Sequence, residues 1–160
     1  MLPHLRCFKL QRLKTRNQFQ AALAGGTVAR TSHFALHRAL LPLAVISEKK
    51  NTIELPGARV SPLFSVDAVW MGAMAPKRWA KRAVTRNAIK RQIYNISSEF
   101  ELKMAVAAYV VRLRCGFDKT QFPSATSDAL KTAVYQELQQ LFTRASAMAT
   151  PAVPRLDTKP

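Results

Sequence analysis

Acidic residues are scarce in this chain: 9 Asp and Glu stand against 25 Lys and Arg in 160 residues, a formal net charge of +16. A nuclease that cuts with its own side chains needs clustered carboxylates for metal ions, or a histidine pair for acid–base work. Glu48, Glu54, Asp67, Glu99, Glu101, Asp118, Asp128, Glu137 and Asp157 are scattered and form no DxD or ExxE pair. His33 and His37 fall on one face of a predicted strand, with no third ligand nearby. The pattern argues against catalysis by the protein and against a protein-bound metal. Cysteine is also rare. Cys7 and Cys115 fit no metal spacing and no disulfide framework, so a reducing, cytoplasmic setting is the default. Cys115 ends an apolar run and reads as a small buried hydrophobe. Long apolar runs are missing too. The longest, Ala39–Ile46, is too short to span a bilayer and carries Pro42. The N-terminal segment lacks the continuous apolar core of a signal peptide, leaving an amphipathic anchor as the alternative there.

What is present is a 48% apolar composition, enough for a compact core. The positive excess repels itself unless a polyanion neutralises it, which points to nucleic acid or an anionic membrane. Residues 1–11 read as a basic extended lead-in, 12–148 as one α/β domain, and 149–160, with three prolines, as a disordered tail. Within the domain, Thr15 caps a short helix to Ala24, and Gly25-Gly26 ends it. Ser32–Leu40 alternates like a strand, with Phe34 and Leu36 opposed to His33, Ala35 and His37. Residues 47–65 read as a surface connection with a brief strand at Thr52–Leu55. Val66–Ala75 is nearly continuous in apolar character, which suits a strand buried on both faces. Arg82–Phe100 is the main helix, Met104–Cys115 holds a strand, and Ser124–Ser146 is a second long helix. The order α-β-β-β-α-β-α predicts an α/β, two-layer sandwich with helices packed on a sheet.

The segment Lys77–Arg91 carries the chemistry. It holds Lys77, Arg78, Lys81, Arg82, Arg86, Lys90 and Arg91 and no acid. Like charges four apart destabilise a helix, so something outside it should offset them. On a helical wheel Ile89, Ile93, Ile96 and Phe100 form the core stripe. Arg86, Lys90 and Tyr94 form one further row, and Asn87 with Arg91 another. Arginine offers phosphate a planar fork of donors, lysine a point charge, asparagine a donor and an acceptor, and tyrosine a face for a base. A solvated basic face is the usual meaning of a charge run, but here no acidic i, i+4 partner balances it.

The run from Lys77 to Arg91 closely resembles the signature of the bacterial ribonuclease P protein component: a basic pair, a short spacer, then Ala-Val-x-Arg-Asn-x-x-Lys-Arg. Arg12-Leu13-Lys14, Phe19, Gly26 and Phe34 follow that family's N-terminal pattern, and the resemblance spans roughly residues 12–145. It implies a ribosomal-S5-domain-2-like fold with a left-handed βαβ crossover. It also implies a subunit of the ribonucleoprotein endoribonuclease RNase P, which removes the 5′ leader of precursor tRNA. The catalytic centre, with its Mg2+, is then expected in the RNA. The implied partners are that catalytic RNA and precursor tRNA, with no membrane and no obligate protein partner. Lys77, Arg78, Arg86, Asn87, Lys90 and Arg91 match the RNA-binding motif, with Lys81, Arg82 and Tyr94 beside them. Phe19 matches an aromatic of the leader cleft, to which Arg12, Lys14 and His37 are assigned. Three positions depart from the pattern: Ala88 replaces a common basic residue, Leu23 a common aromatic, and His37 a common Tyr. The rival readings are a non-catalytic, structural RNA-binding protein of ribosomal type and a DNA-binding module. No helix-turn-helix spacing supports the latter.

Overall fold

A computed structural model of the chain describes residues 10–41, 63–64, 68–122, 124 and 127–149. The predicted lead-in up to residue 9, the strand at Thr52–Leu55, most of the 47–65 connection and the tail from residue 150 lie outside the described residues. The elements run β1 (Gln11–Arg12), α1 (Arg16–Ala24), β2 (Thr27–Arg30), β3 (Phe34–Ala39), β4 (Trp70–Met74), α2 (Ala83–Phe100), β5 (Ala108–Leu113) and α3 (Asp128–Ala149). A 3-10 turn at Glu101–Lys103 follows α2. The five strands form one sheet in the order β1-β4-β5-β3-β2. β1 and β5 pair with β4 in parallel, while β3 pairs antiparallel with β5 and β2.

The predicted helices and the strands at β3, β4 and β5 are present in the expected order, and two further strands, β1 and β2, were not anticipated. β1 is only two residues long and straddles the expected boundary between lead-in and domain, and β2 follows directly on the Gly25-Gly26 turn. Other boundaries shift for local reasons. β4 covers only the Trp70–Met74 part of the predicted Val66–Ala75, and residues 66–67 are outside the described set. α3 starts at Asp128 because the Ser127 hydroxyl accepts from the Leu130 N–H, a side-chain cap that fixes its first turn. β5 stops at Leu113, so the alternation expected to bury Cys115 has already ended there; Cys115 is exposed.

Period-two alternation divides the sheet into two faces. Phe34 and Leu36 of β3, Met71 and Ala73 of β4, and Tyr109, Val111 and Leu113 of β5 point into the main core. There they meet Ile89, Ile93, Ile96 and Phe100 of α2 and Leu130, Val134, Leu138, Leu141 and Phe142 of α3. The Phe100 and Phe142 rings stack at 5.6 Å. The other face carries Trp70, Ala108 and Val110, and is covered by Leu13 and by Ala22, Phe19 and Leu23 of α1. α1 is nucleated by a capping box. Gln18 N–H donates to Thr15 Oγ1 at 3.3 Å, while Gln18 Oε1 accepts from the backbone N–H groups of Lys14 and Thr15. Gly72 lets α1 sit close to the sheet, since a Cβ there would lie 2.5 Å from the Phe19 ring.

Candidate nucleic-acid interface

The α2 stripe behaves as its spacing requires: Ile89, Ile93, Ile96 and Phe100 are buried, and Asn87, Arg91 and Asn95 are exposed beside them. Burying that stripe on the sheet fixes the rotation of α2 and so aims its polar rows outward. Asn87, Lys90, Arg91, Tyr94 and Asn95 line a shallow concavity of about 210 Å³. The sixth contributor is Arg12 of β1, whose guanidinium lies 4.1 Å from the centre of the Tyr94 ring. A cation so placed over an aromatic face is held electrostatically, which orders a long side chain beside Lys90 and Arg91. This surface gathers three cations, two amides and a phenol ring edge, with no carboxylate among its lining residues.

Other candidate residues divide differently from the sequence expectation. Arg86 is part-buried, and its Nη1 donates to the carbonyls of Ala80 at 2.9 Å and Lys81 at 2.7 Å. It therefore ties the basic loop to the first turns of α2 instead of simply projecting into solvent. Lys77, Arg78, Lys81 and Arg82 are exposed along that loop, and Arg78 lies 5.4 Å from the Trp79 ring. The N-cap of α2, Arg82, supplies no side-chain acceptor, and the first turn holds no acid. The N-terminal end of the helix thus adds its own partial positive charge to the loop.

The α1 face brings together Phe19 and His37 but not Arg12. Arg12 lies on the α2 side against Tyr94, because alternation along its strand sends it to the opposite face from Leu13. Lys14 is exposed at the start of α1. Gly72, Val110 and His37 are paired across three adjacent strands. Phe19 over Gly72 and the His37 ring therefore share one row, about 10 Å apart. The next row pairs Met74, Arg112, Ala35 and Arg30. His37 Nδ1 lies 3.3 Å from Thr27 Oγ1, and its pKa is lowered from the ordinary value by burial and then by Arg112 and Arg30. Arg112 Nε is buried without a hydrogen-bond partner. Arg30 and Arg112 were not among the sequence candidates. The parity of β5 could have placed Arg112, whereas Arg30 depended on recognising β2.

His33 does not share the His37 face. β3 begins only at Phe34, and the His33 imidazole turns to α3, where Nδ1 donates to Glu137 Oε1. Its ring stacks on Phe117 at 4.0 Å. Glu137 Oε2 also accepts from Thr31 Oγ1 and the His33 N–H, so this acid–histidine pair clamps α3 to the β2–β3 turn. Among the described residues no three His, Cys, Asp or Glu side chains come together as metal ligands. No helix among them is long and apolar enough to cross a membrane.

The fold and the acid-free flank of α2 define a polyanion-binding α/β protein. The ribonuclease P family model matches residues 8–146, and the chain belongs to that family. It is 33% identical over 136 residues to the ribonuclease P protein component of Trichormus variabilis, covering 83% of this chain and 87% of that protein. It is 30% identical over 133 residues to that of Bordetella bronchiseptica, covering 83% and 89%. The Staphylococcus aureus RNase P protein shares the fold, with a TM-score of 0.54 at 18% identity over 84% of this chain and 94% of that one. The chain is thus a protein subunit of a ribonucleoprotein enzyme whose chemistry is carried by RNA.

Proposed function

We propose that the chain grips the catalytic RNA of RNase P through the α2 flank and holds the 5′ leader of precursor tRNA on the α1 face of the sheet. The observation that carries the first part is the cluster of Arg12, Asn87, Lys90, Arg91 and Tyr94 around one acid-free concavity. Guanidinium and ammonium groups take phosphate oxygens, and each phosphate neutralised releases counterions. The second part is supported by the α1 face, where a half-buried Phe19 and His37 share one row and Arg30 and Arg112, with its unpartnered Nε, lie in the next. A single strand is held by aromatic faces for its bases and positive charge for its backbone. With Leu23 in place of a second aromatic and packed into the α1 core, the charge of Arg30 and Arg112 carries more of that contact here than stacking does.

The protein's part is binding and positioning, in the cytoplasm, while Mg2+ acts at the RNA active site. No described cluster of protein donors suits a resident metal ion. RNA-free protein should leave precursor tRNA intact at any magnesium concentration, and adding the cognate RNA should start cleavage at the leader junction. Cleavage by nuclease-treated protein alone would refute this reading. Sedimentation of the chain with ribosomal subunits, and not with one discrete RNA, would favour the ribosomal-type alternative.

A further inference from the structure

A second concavity lies on the opposite flank of α2, between the first turns of that helix, the end of β5 and the β5–α3 connection. It encloses about 410 Å³, within the ~300–1,000 Å³ range of small-ligand sites. Its floor is apolar, formed by Leu113, Ile89 and Leu130. Three aromatic rings wall it: Trp79, Phe117 and Phe122. Phe117 is pinned between His33, stacked at 4.0 Å, and Phe122, edge-on at 5.8 Å, so this wall is a fixed surface. Trp79 is 40% exposed, so ring surface is left open to the cavity. Gly116 closes one end: a Cβ there would lie 3.0 Å from the Trp79 carbonyl, so the two loops approach closely. The rim carries Lys81, Arg82 and Lys119, and no acidic side chain lines the cavity. Arg82 is also the N-cap of α2, and the first-turn amides beside it have no side-chain acceptor.

We propose that this cavity binds one nucleotide unit. The base lies against Trp79 and Phe122, and its phosphate is held by Lys81, Arg82, Lys119 and the first-turn amides of α2. An apolar floor alone would suit any hydrophobe. Aromatic walls under an all-cationic rim instead select a flat ring that carries an anion. The source is either an unpaired nucleotide of a bound RNA or a free mononucleotide. The first source rests on the RNA-binding reading above, because the site continues the basic loop around the end of α2; the second does not.

Trp79 is its own reporter, since the other tryptophan, Trp70, is buried on the far face of the sheet. The experiment titrates full-length, RNA-free protein with adenosine monophosphate, penta-adenylate or inorganic phosphate and reads tryptophan emission. Either nucleotide ligand should quench it, and Trp79→Phe should abolish that quench. Quenching by the monophosphate assigns a free nucleotide; quenching by penta-adenylate alone assigns a nucleotide within a chain. Lys119→Glu should raise the half-saturating concentration about tenfold, as expected for losing one charge-assisted contact. Lys119 is exposed, so this change leaves the fold intact, and Lys119→Gln should give a smaller shift in the same direction. Lys90→Ala, on the opposite flank, should leave the titration unchanged while weakening binding to the catalytic RNA. If Lys90→Ala spares RNA affinity, the α2-flank reading fails but the cavity result stands. No quench with either nucleotide overturns the proposal. So does an equal response to phosphate alone, or an equal weakening by Lys119→Glu and Lys90→Ala.

Discussion

On one side of the sheet, β3, β4 and β5 send Phe34, Leu36, Met71, Tyr109, Val111 and Leu113 against two long helices, closed except for the cavity at the Leu113 end. On the other side the same strands present Ala35, His37, Gly72, Val110 and Arg112, and among the described residues the nine-residue α1, with Leu13, Leu41 and Phe64, packs on that face. The strands are shared, so the two faces differ only by one step of register. A side chain on the closed face acts on stability; its immediate neighbour acts on a half-open surface where polar and charged groups collect. α2 repeats the lesson about its own axis, with a sealed isoleucine stripe backing the row that holds Lys90 and Arg91.

The sharpest way to break this contrast is to charge the closed face. Ile93 is fully buried, and an aspartate there would lack any partner. Ile93→Asp should unfold the domain, whereas Ile93→Ala should cost about 2–5 kcal/mol by denaturant titration. A folded Ile93→Asp protein would show that α2 docks otherwise. Phe19 tests the border between the faces, because its ring both packs on Gly72 and edges the leader surface. Phe19→Ala should lose stability as well as leader affinity. Phe19→Leu keeps most of the packing and should lose mainly the stacking, roughly 1–3 kcal/mol per base. The readout is holoenzyme affinity for substrates with and without a leader; an equal loss on both would assign Phe19 to the core alone.

Arg86 comes next in size. Because its Nη1 bridges two loop carbonyls, Arg86→Ala should destabilise the domain by about 1–2 kcal/mol and weaken RNA binding as well. A melting temperature equal to wild type would remove its structural role. The smallest effect belongs to His37, whose folded-state pKa is depressed. As pH falls below the unfolded value of about 6.5, the unfolded chain takes up the proton first, so this contribution to stability is present above that pH. It is lost progressively as pH falls through the lowered folded-state pKa. His37→Gln should flatten the stability profile between neutral and mildly acidic pH, and an unchanged profile would place the slope elsewhere.

Much of this arrangement is legible in the sequence because it depends on local periodicity. The cap at Thr15, the stripe Ile89–Phe100 and the buried run at Trp70–Ala73 follow from spacing and residue type alone. What escapes is tertiary. β1 and β2 are short and acquire strand geometry from their neighbours, so two and four residues offer too little pattern to read. Arg12 changes sides because its position in β1 decides its face. The hold on Arg86 comes from loop carbonyls that a helical wheel does not show. His33 looks like a companion to His37 until the strand is seen to start at Phe34, two residues later than expected.

The central claim is that the row beside the α2 stripe grips RNA through phosphates. The direct measurement is the affinity of wild-type protein and of the Lys90→Ala, Arg91→Ala double variant for the cognate catalytic RNA, as a function of salt. Both side chains lie off the buried stripe, so the variant should melt as wild type does. Its plot of log K against log salt should be shallower by about two units, one for each phosphate contact removed. An unchanged slope in a folded variant would contradict the account and move the RNA to another face of the protein.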